Sequence, residues 1–367
     1  DLHSFPTRRS SDLAILILQN NIFGLDIDRR CYQLASFALT MKGRAYYSRY
    51  LRKVVEPNVI ALQPIDHDTI DASGSWGQKS LMWQFENIDT IGSLLKVTPE
   101  ECAAIRVEEG LFGVNQQILK TQAEYLSRKY HCVVTNPPYL GKGMGDYLKG
   151  YLLEEYPNSK SDTMATFMER CYEYCSEKGK YSMINMQSWM FLPTFEELRK
   201  WILSCQKIET LVHLGPHTFD ELSGEIVQNT AFTISKISLD NQNIGNSIYI
   251  NVEDDYNCSE KEKSFLQTIL KPDSPRYYSI TKQNAFEIIP GCPIAYDASS
   301  LAISLYNRPL VKDFALFKRG IGTGDNDKFL RIWFEINCDT ANLFGVDHNL
   351  KWQKYNKGGS RRKWYIA

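Results

Sequence analysis

Four consecutive residues, Asn136, Pro137, Pro138 and Tyr139, follow the short apolar run Tyr130 to Thr135 (YHCVVT) and carry the strongest chemical signal in the chain. An amine whose lone pair is delocalised into a ring or a carbonyl is a poor nucleophile. A catalyst must therefore accept hydrogen bonds from both of its N–H groups and aim the nitrogen. The amide oxygen of Asn136 and the main-chain carbonyl of Pro137 supply two such acceptors, and the two prolines restrict φ so that the carbonyl keeps its direction. Tyr139 adds a ring that can stack on a planar group. A Pro-Pro turn that merely caps a strand is the plainer alternative. Upstream, Asp26 closes the alternating run Asn21 to Ile27 (NIFGLDI), where a carboxylate at a strand end of an open α/β sheet can accept both ribose hydroxyls of a nucleoside cofactor. Helix capping is the competing role for Asp26, although Asp28 is better placed to cap the next helix.

The elements that must position these residues alternate in type. NIFGLDI reads as a strand, and Arg29 to Lys42 as a helix through the spacing of Cys31, Leu34, Ala35, Ala38 and Leu39. Residues 50–79, with Pro57, Pro64, Gly74 and Gly77, read as a loop-rich insertion. Pro99 to Leu126 reads as one helix, with Thr98 as N-cap and Glu101 three residues on. After the strand 130–135 come a helix over 163–176, a strand over 180–185, a helix over 194–205 and strands over 208–214 and 230–237. This order predicts a mostly parallel α/β sheet with buried strands. The pattern then lapses into polar loops up to about residue 310.

Composition narrows the class. The 367 residues are 43% hydrophobic and 23% charged, enough for a sizeable core and for two domains, and they exclude a disordered chain. Lys plus Arg number 42 against 43 Asp plus Glu, a net charge of -1, so contact with a polyanion must come from local patches. Nine cysteines without a CxxC pair read as free thiols of a reducing cytoplasm, and no metal site is expected. The run Leu13 to Leu18 is strand-sized, and no stretch approaches the ~18 apolar residues of a membrane span. Residues 1–13 (DLHSFPTRRSSDL) resemble translated sequencing-adapter read-through, so the natural N-terminus is expected to be missing. The C-terminal region, stopping at Ala367 without a turn or cap, is likewise expected to be cut short.

The NPPY after a buried strand, the block FMERCYEYCSEKGKYSMINMQSWM and the FGLDID strand end resemble the adenine-N6 DNA methyltransferases over roughly residues 14 to 335. DTIGSLL, HLGPHTFDELSGEIVQNTAF and FKRGIGTGDNDKFLRIW are similar, more finely, to the methyltransferases of BREX phage-defence systems. The resemblance implies a Rossmann-like sheet that uses S-adenosylmethionine and acts on an adenine flipped out of double-stranded DNA, in the cytoplasm, with other BREX defence proteins as partners. It implies that Asn136, Pro137, Pro138 and Tyr139 form the catalytic turn and that Tyr139 stacks on the base. Asp26 and Ile27 would hold the cofactor's ribose and adenine. Asp89 would bond the adenine edge, with Asn87 an equal competitor, and Phe219 would help hold the base unless it is a core residue. The family's glycine-rich DPACGSG-like loop has no match in the chain.

The expected organisation is a non-native segment over 1–13, a catalytic domain over 14–240 with an insertion about 50–128, a connecting region over 241–310, and the start of a target-recognition domain over 311–367. In that last region Gly322, Gly324, Asp325, Asn326 and Lys328 form a polar loop suited to a phosphate or base edge, or an ordinary surface turn. Lys351 to Lys363 holds six basic and no acidic residues beside Trp352 and Tyr355. Lys351, Lys354, Arg361, Arg362 and Lys363 there read as contacts to a DNA backbone or as a solvated face. Two other functions share parts of this pattern: methylation of a protein glutamine, whose amide nitrogen poses the same problem, and DNA binding without catalysis.

Overall fold

The computed structural model describes residues 10–47, 49–52, 55–110, 112–141, 143–219, 227–237, 246–316, 324–342 and 349–355. The chain divides into two compact units, 1–308 and 309–367.

The first unit opens with α1 (Ser10–Asn20), a helix where the run Leu13 to Leu18 had suggested a strand. Ile15 and Leu18 are buried while Leu13 and Ile17 are exposed, a face with helical rather than two-residue spacing. Leu18 meets α2 (Arg29–Tyr46) at Gly43, where a Cβ would lie 2.9 Å from Leu18 and 2.8 Å from the Tyr50 ring. Between the two helices runs β1 (Phe23–Asp26). The segment expected to be loop-rich contains β2 (Asn58–Ala61), which pairs in parallel with β1 from Phe23↔Asn58 to Asp26↔Ala61. Four residues are too few to display the alternation that identifies a strand.

After α3 (His67–Ala72) and α4 (Ile88–Ile91), the single helix expected over 99–126 is two, α5 (Pro99–Ala104) and α6 (Gly113–Ser127). Gly110, at φ 151° in the connection between them, adopts a backbone conformation that favours glycine. Thr98 and Glu101 close the expected capping box on α5.

Six strands form the main sheet in the order β3-β4-β6-β5-β7-β8: β3 (Tyr130–Thr135), β4 (Cys175–Met186), β5 (Gln206–Gly215), β6 (Asn229–Lys236), β7 (Ser247–Asn251) and β8 (Tyr277–Ile280). Helices α7 (Asp146–Glu155) and α8 (Thr163–Tyr174) join β3 to β4, α9 (Glu196–Cys205) joins β4 to β5, and α10 (Cys258–Leu270) joins β7 to β8. The class is α/β, and the sheet is mixed rather than mostly parallel. β3, β4, β5 and β7 run one way, whereas β6 and β8 run the other. β6 returns antiparallel to β5 and wedges between it and β4, a step that needs no parallel crossover. β7 and β8 extend this same sheet through the stretch that the sequence pattern had left as polar loops. Helix α11 (Ser300–Leu305) closes the unit.

Three apolar clusters occur among the described residues of this unit, a small one around Ile15, Leu18 and Tyr50 and two larger ones. Of the larger two, one lies against the sheet, around Met168, Tyr181, Trp189, Leu211 and Phe232; the other gathers Ile70, Phe85, Leu95 and Leu119 with Leu152 of α7. Val133 and Phe167 pack against both. Arg170 of α8 adds a polar tie. Its buried guanidinium donates to the carbonyls of Ser93 (3.0 Å), Leu95 (2.6 Å) and Leu126 (3.0 Å) and lies 3.9 Å from the Tyr174 ring. The Leu95 and Leu126 carbonyls find in this side chain the donor that burial would otherwise deny them, and the Ser93 carbonyl also accepts from the Tyr174 hydroxyl at 2.8 Å.

The second unit contains α12 (Val311–Phe314), α13 (Asn326–Phe329) and the short parallel pair β9 (Ala341–Asn342) and β10 (Trp352–Gln353).

Candidate active site

Because β3, β4 and β5 are parallel, their C-terminal ends share one edge of the sheet, and β6 begins at that edge. Ligands of open α/β sheets gather at such an edge. The turn Asn136–Tyr139 leaves it directly from β3. Asn136 is exposed, Pro137 buried and Tyr139 half-buried. Among the described residues, neither the Asn136 side chain nor the Pro137 carbonyl has a hydrogen-bond partner in the protein. Both acceptors are therefore unengaged by the described protein.

Tyr139 is fixed rather than loose. Its ring packs against the sheet core, and its hydroxyl lies 3.3 Å from the Ile184 carbonyl and 3.4 Å from Asn229 Oδ1, at the ends of β4 and β6. Burial raises the pKa of this phenol, so it stays a neutral donor. Behind it, Asn185, Thr230 and Trp189 form a buried hydrogen-bonded set, with Trp189 Nε1 donating to Thr230 Oγ1 and Thr230 Oγ1 to Asn185 Oδ1. Further along the edge, His213 of β5 bonds through Nδ1 to the Tyr296 hydroxyl (2.7 Å) and through Nε2 to Gln187 Oε1 (2.6 Å), with Glu253 at 3.3 Å. Burial lowers the His213 pKa and outweighs the opposing pull of Glu253.

At the end of β1, Asp26 does not cap a helix. Asp28 does so, accepting the Arg30 N–H at 2.8 Å, and the adjacent Arg30 guanidinium lowers the Asp28 pKa to about 2. Asp26 Oδ1 accepts the Asp28 N–H at 2.8 Å, leaving Oδ2 free for an outside donor among the described residues. Ile27 is 52% exposed. Beside it stands Gly92 at φ 62°, where a Cβ would come within 2.9 Å of Ile27 Cγ2. A larger residue there would press on the very face that Ile27 presents. Asp89, on α4 three residues before Gly92, is exposed, whereas Asn87 is half-buried at the N-cap of that helix. The end of β1 and the region of α4 are thus brought together by Ile27, which the sequence had singled out, and Gly92, which it had not.

A cleft of about 230 Å³ separates β1 from β3, lined by Gly24 and Leu25 on one side and by Cys132, Val134 and Thr135 on the other. Leu25 and Thr135 immediately precede Asp26 and Asn136, so the two strand ends flank one space. Phe219 follows β5 and is 37% exposed. Lys351 and Lys354 are exposed in the second unit, Lys351 lying 5.5 Å from the Trp352 ring centre. Gly324 (φ 67°) precedes Asp325, which caps α13 by accepting the Lys328 N–H at 3.1 Å, with Asn326 the first residue of that helix. Gly322, Arg361, Arg362 and Lys363 lie outside the described residues. No group of three or more His, Cys, Asp and Glu able to hold a metal occurs among the described residues.

Residues 20–219 match the family described as Eco57I restriction-modification methylase. The chain is 34% identical over 404 aligned residues to the adenine-specific methyltransferase BrxX of Escherichia coli O9:H4 (strain HS), an alignment covering 97% of this chain and 32% of that protein. It is 35% identical to the adenine-specific methyltransferase PglX of Lacticaseibacillus casei (strain Zhang), covering 95% of this chain and 31% of that protein. The chain thus spans about a third of the length of the curated relatives it matches. Among solved structures, the ATP-dependent Type ISP restriction-modification enzyme LlaBIII bound to DNA is similar with a TM-score of 0.42 and 12% identity, over 69% of this chain and 16% of that one.

Proposed function

The chain belongs to the Eco57I restriction-modification methylase family, and from that premise we propose that the protein carrying it methylates N6 of an adenine flipped out of double-stranded DNA, using S-adenosylmethionine. The observation that carries this reading is the turn at the end of β3, with an exposed Asn136 and two acceptors left free beside a fixed Tyr139. The amide oxygen of Asn136 and the carbonyl of Pro137 accept the two amine hydrogens, which draws the nitrogen lone pair out of conjugation and aims it. Tyr139 stacks on the base and Phe219 supports it. Pro138 keeps the turn rigid. Neither acceptor is basic, so the proton released from the methylated amine passes to solvent.

The end of β1 fits a nucleoside cofactor. The free Asp26 Oδ2 suits ribose hydroxyls, the exposed Ile27 suits an adenine face, and Gly92 leaves that face uncrowded. Asp89 takes the adenine edge. When bound, S-adenosylmethionine supplies an electrophilic methyl group on a positively charged sulfur. Lys351 and Lys354, continued by Arg361, Arg362 and Lys363, hold the DNA backbone within a target-recognition region. The likeness to BrxX and PglX supports a role in BREX phage defence with other BREX proteins as partners. No described helix is long and apolar enough to cross a membrane, and the cytoplasm as place of action belongs to the same proposal.

The test is methyl transfer by the full-length protein from labelled S-adenosylmethionine into duplex DNA, followed by nucleoside analysis. Label in N6-methyladenine is the expected result; label in cytosine, or in a protein glutamine, overturns the proposal.

A further inference from the structure

The turn Asn136–Tyr139 is gripped by a residue outside it. Thr163, the first residue of α8, is 1% exposed, and its hydroxyl makes two hydrogen bonds to the turn. It donates to the Pro138 carbonyl at 2.7 Å and accepts the Leu140 N–H at 3.0 Å. The preceding Asp162 caps α8 by accepting the Met164 N–H at 2.9 Å, which fixes the helix end that carries Thr163. Gly141 permits the close approach: a Cβ there would lie 2.9 Å from Asp162 Oδ2.

The hydroxyl therefore bridges the main chain on both sides of Tyr139. Upstream of the bridge, β3 anchors Thr135 opposite Met183 of β4. Asn136 and Pro137 lie between these two fixed points, and nothing else among the described residues hydrogen-bonds to them. Two proline rings limit φ in this stretch and Pro138 also holds ψ of Pro137 in the extended region, but ψ of Pro138 is free to rotate unless its carbonyl is held. Release of that carbonyl would let the stiff Pro137–Pro138 stretch pivot about the end of β3 and carry the Pro137 carbonyl away from its target.

We infer that Thr163 is a positioning residue whose hydroxyl sets the direction of the two amine acceptors, Asn136 Oδ1 and Pro137 O. The inference rests on the adenine-methylation reading for what the acceptors do, and on the geometry alone for what the hydroxyl holds. A misplacement of about 1 Å in such acceptors costs on the order of 10²-fold in rate without changing the binding of either substrate elsewhere.

The experiment compares Thr163→Val, which keeps the shape and removes the hydroxyl, with Thr163→Ser, which keeps the hydroxyl, in the full-length protein. The first measurement is amide hydrogen exchange in the peptide spanning residues 136–141. Thr163→Val should exchange about tenfold faster there, the factor expected for one lost hydrogen bond, while Thr163→Ser stays near wild type. The second is methyl transfer. Thr163→Val should lose about 10- to 100-fold in kcat with unchanged affinity for S-adenosylmethionine and DNA, and Thr163→Ser should recover most of it. Unchanged exchange in Thr163→Val overturns the clamp. Faster exchange with normal kcat overturns the positioning role. An equal fall in both variants also overturns it, by removing the hydroxyl as the cause. If wild-type protein transfers no methyl to adenine, the functional reading fails by itself, and the exchange arm still decides whether Thr163 holds the turn.

Discussion

Under the proposed function Asn136 and Asp26 divide the chemistry between them, one facing the amine and the other the cofactor. Each is expected to fail in a different way when removed. Asn136→Ala deletes one of two preorganised acceptors and should lower kcat by about 10²-fold or more with little effect on affinity, as does the loss of one aimed hydrogen-bonding group elsewhere. Near-normal turnover in that variant would sink the mechanism. Asp26→Ala removes a charged acceptor and should weaken S-adenosylmethionine binding by about 1.5 to 3 kcal/mol, while DNA affinity stays close to wild type. Calorimetry with the full-length protein separates the two effects. Unchanged cofactor affinity would leave Asp26 only its bond to the Asp28 N–H.

Helix α8 serves the fold through Arg170 and holds the Asn136–Tyr139 turn through Thr163. Replacing Arg170 by Met keeps the bulk but strands the carbonyls of Leu95 and Leu126 in the interior, whereas the Ser93 carbonyl keeps the Tyr174 hydroxyl as a donor. Stability should fall by about 3 to 5 kcal/mol in urea titrations, the cost of removing one partner from a buried charged network; a loss below about 1 kcal/mol would mean that the carbonyls find other donors. The strand ends carry a pH dependence through His213. Burial favours its neutral form in the folded protein, so as pH falls below the ordinary value of 6.5 the unfolded chain takes up the proton first. Its contribution is complete above 6.5 and is lost below it, with Glu253 and Asp297 opposing and Lys261 reinforcing the shift. Urea midpoints should therefore drop between about pH 7.5 and pH 5.5, and the drop should be smaller in His213→Gln. An identical drop in both proteins would assign it to other groups.

For the molecule as a whole, the near-zero net charge means that the proposed attraction to DNA would have to come from local patches, such as Lys351 and Lys354 in the second unit. If Lys351 and Lys354 each contact a phosphate, replacing both with Ala should reduce the slope of log affinity against log salt by about 2 units, since each contact contributes roughly 0.9. Sequence preference should persist, because phosphate contacts position the duplex while base-edge contacts specify it. An unaltered slope would make this stretch a solvated face.

The sequence by itself determined the local features that rest on neighbours in the chain. The Asn136–Tyr139 turn after an apolar strand, the Asp28 cap and the Thr98–Glu101 capping box each depend on residues within a few positions of one another, so composition and spacing suffice to see them. The tertiary structure decided whatever depends on distant partners. β2 is a strand because β1 lies beside it, and its four residues show no pattern of their own. α1 is helical because Ile15 and Leu18 face α2 and Tyr50, although its apolar run is short enough for a strand. β7 and β8 extend the sheet through a stretch whose polarity had concealed them. The contacts between Thr163 and the turn, between Ile27 and Gly92 and between Tyr139 and Asn229 join positions 25, 65 and 90 residues apart. Hydrogen bonds and close packing act over a few ångströms of space, and only the folded chain sets those distances.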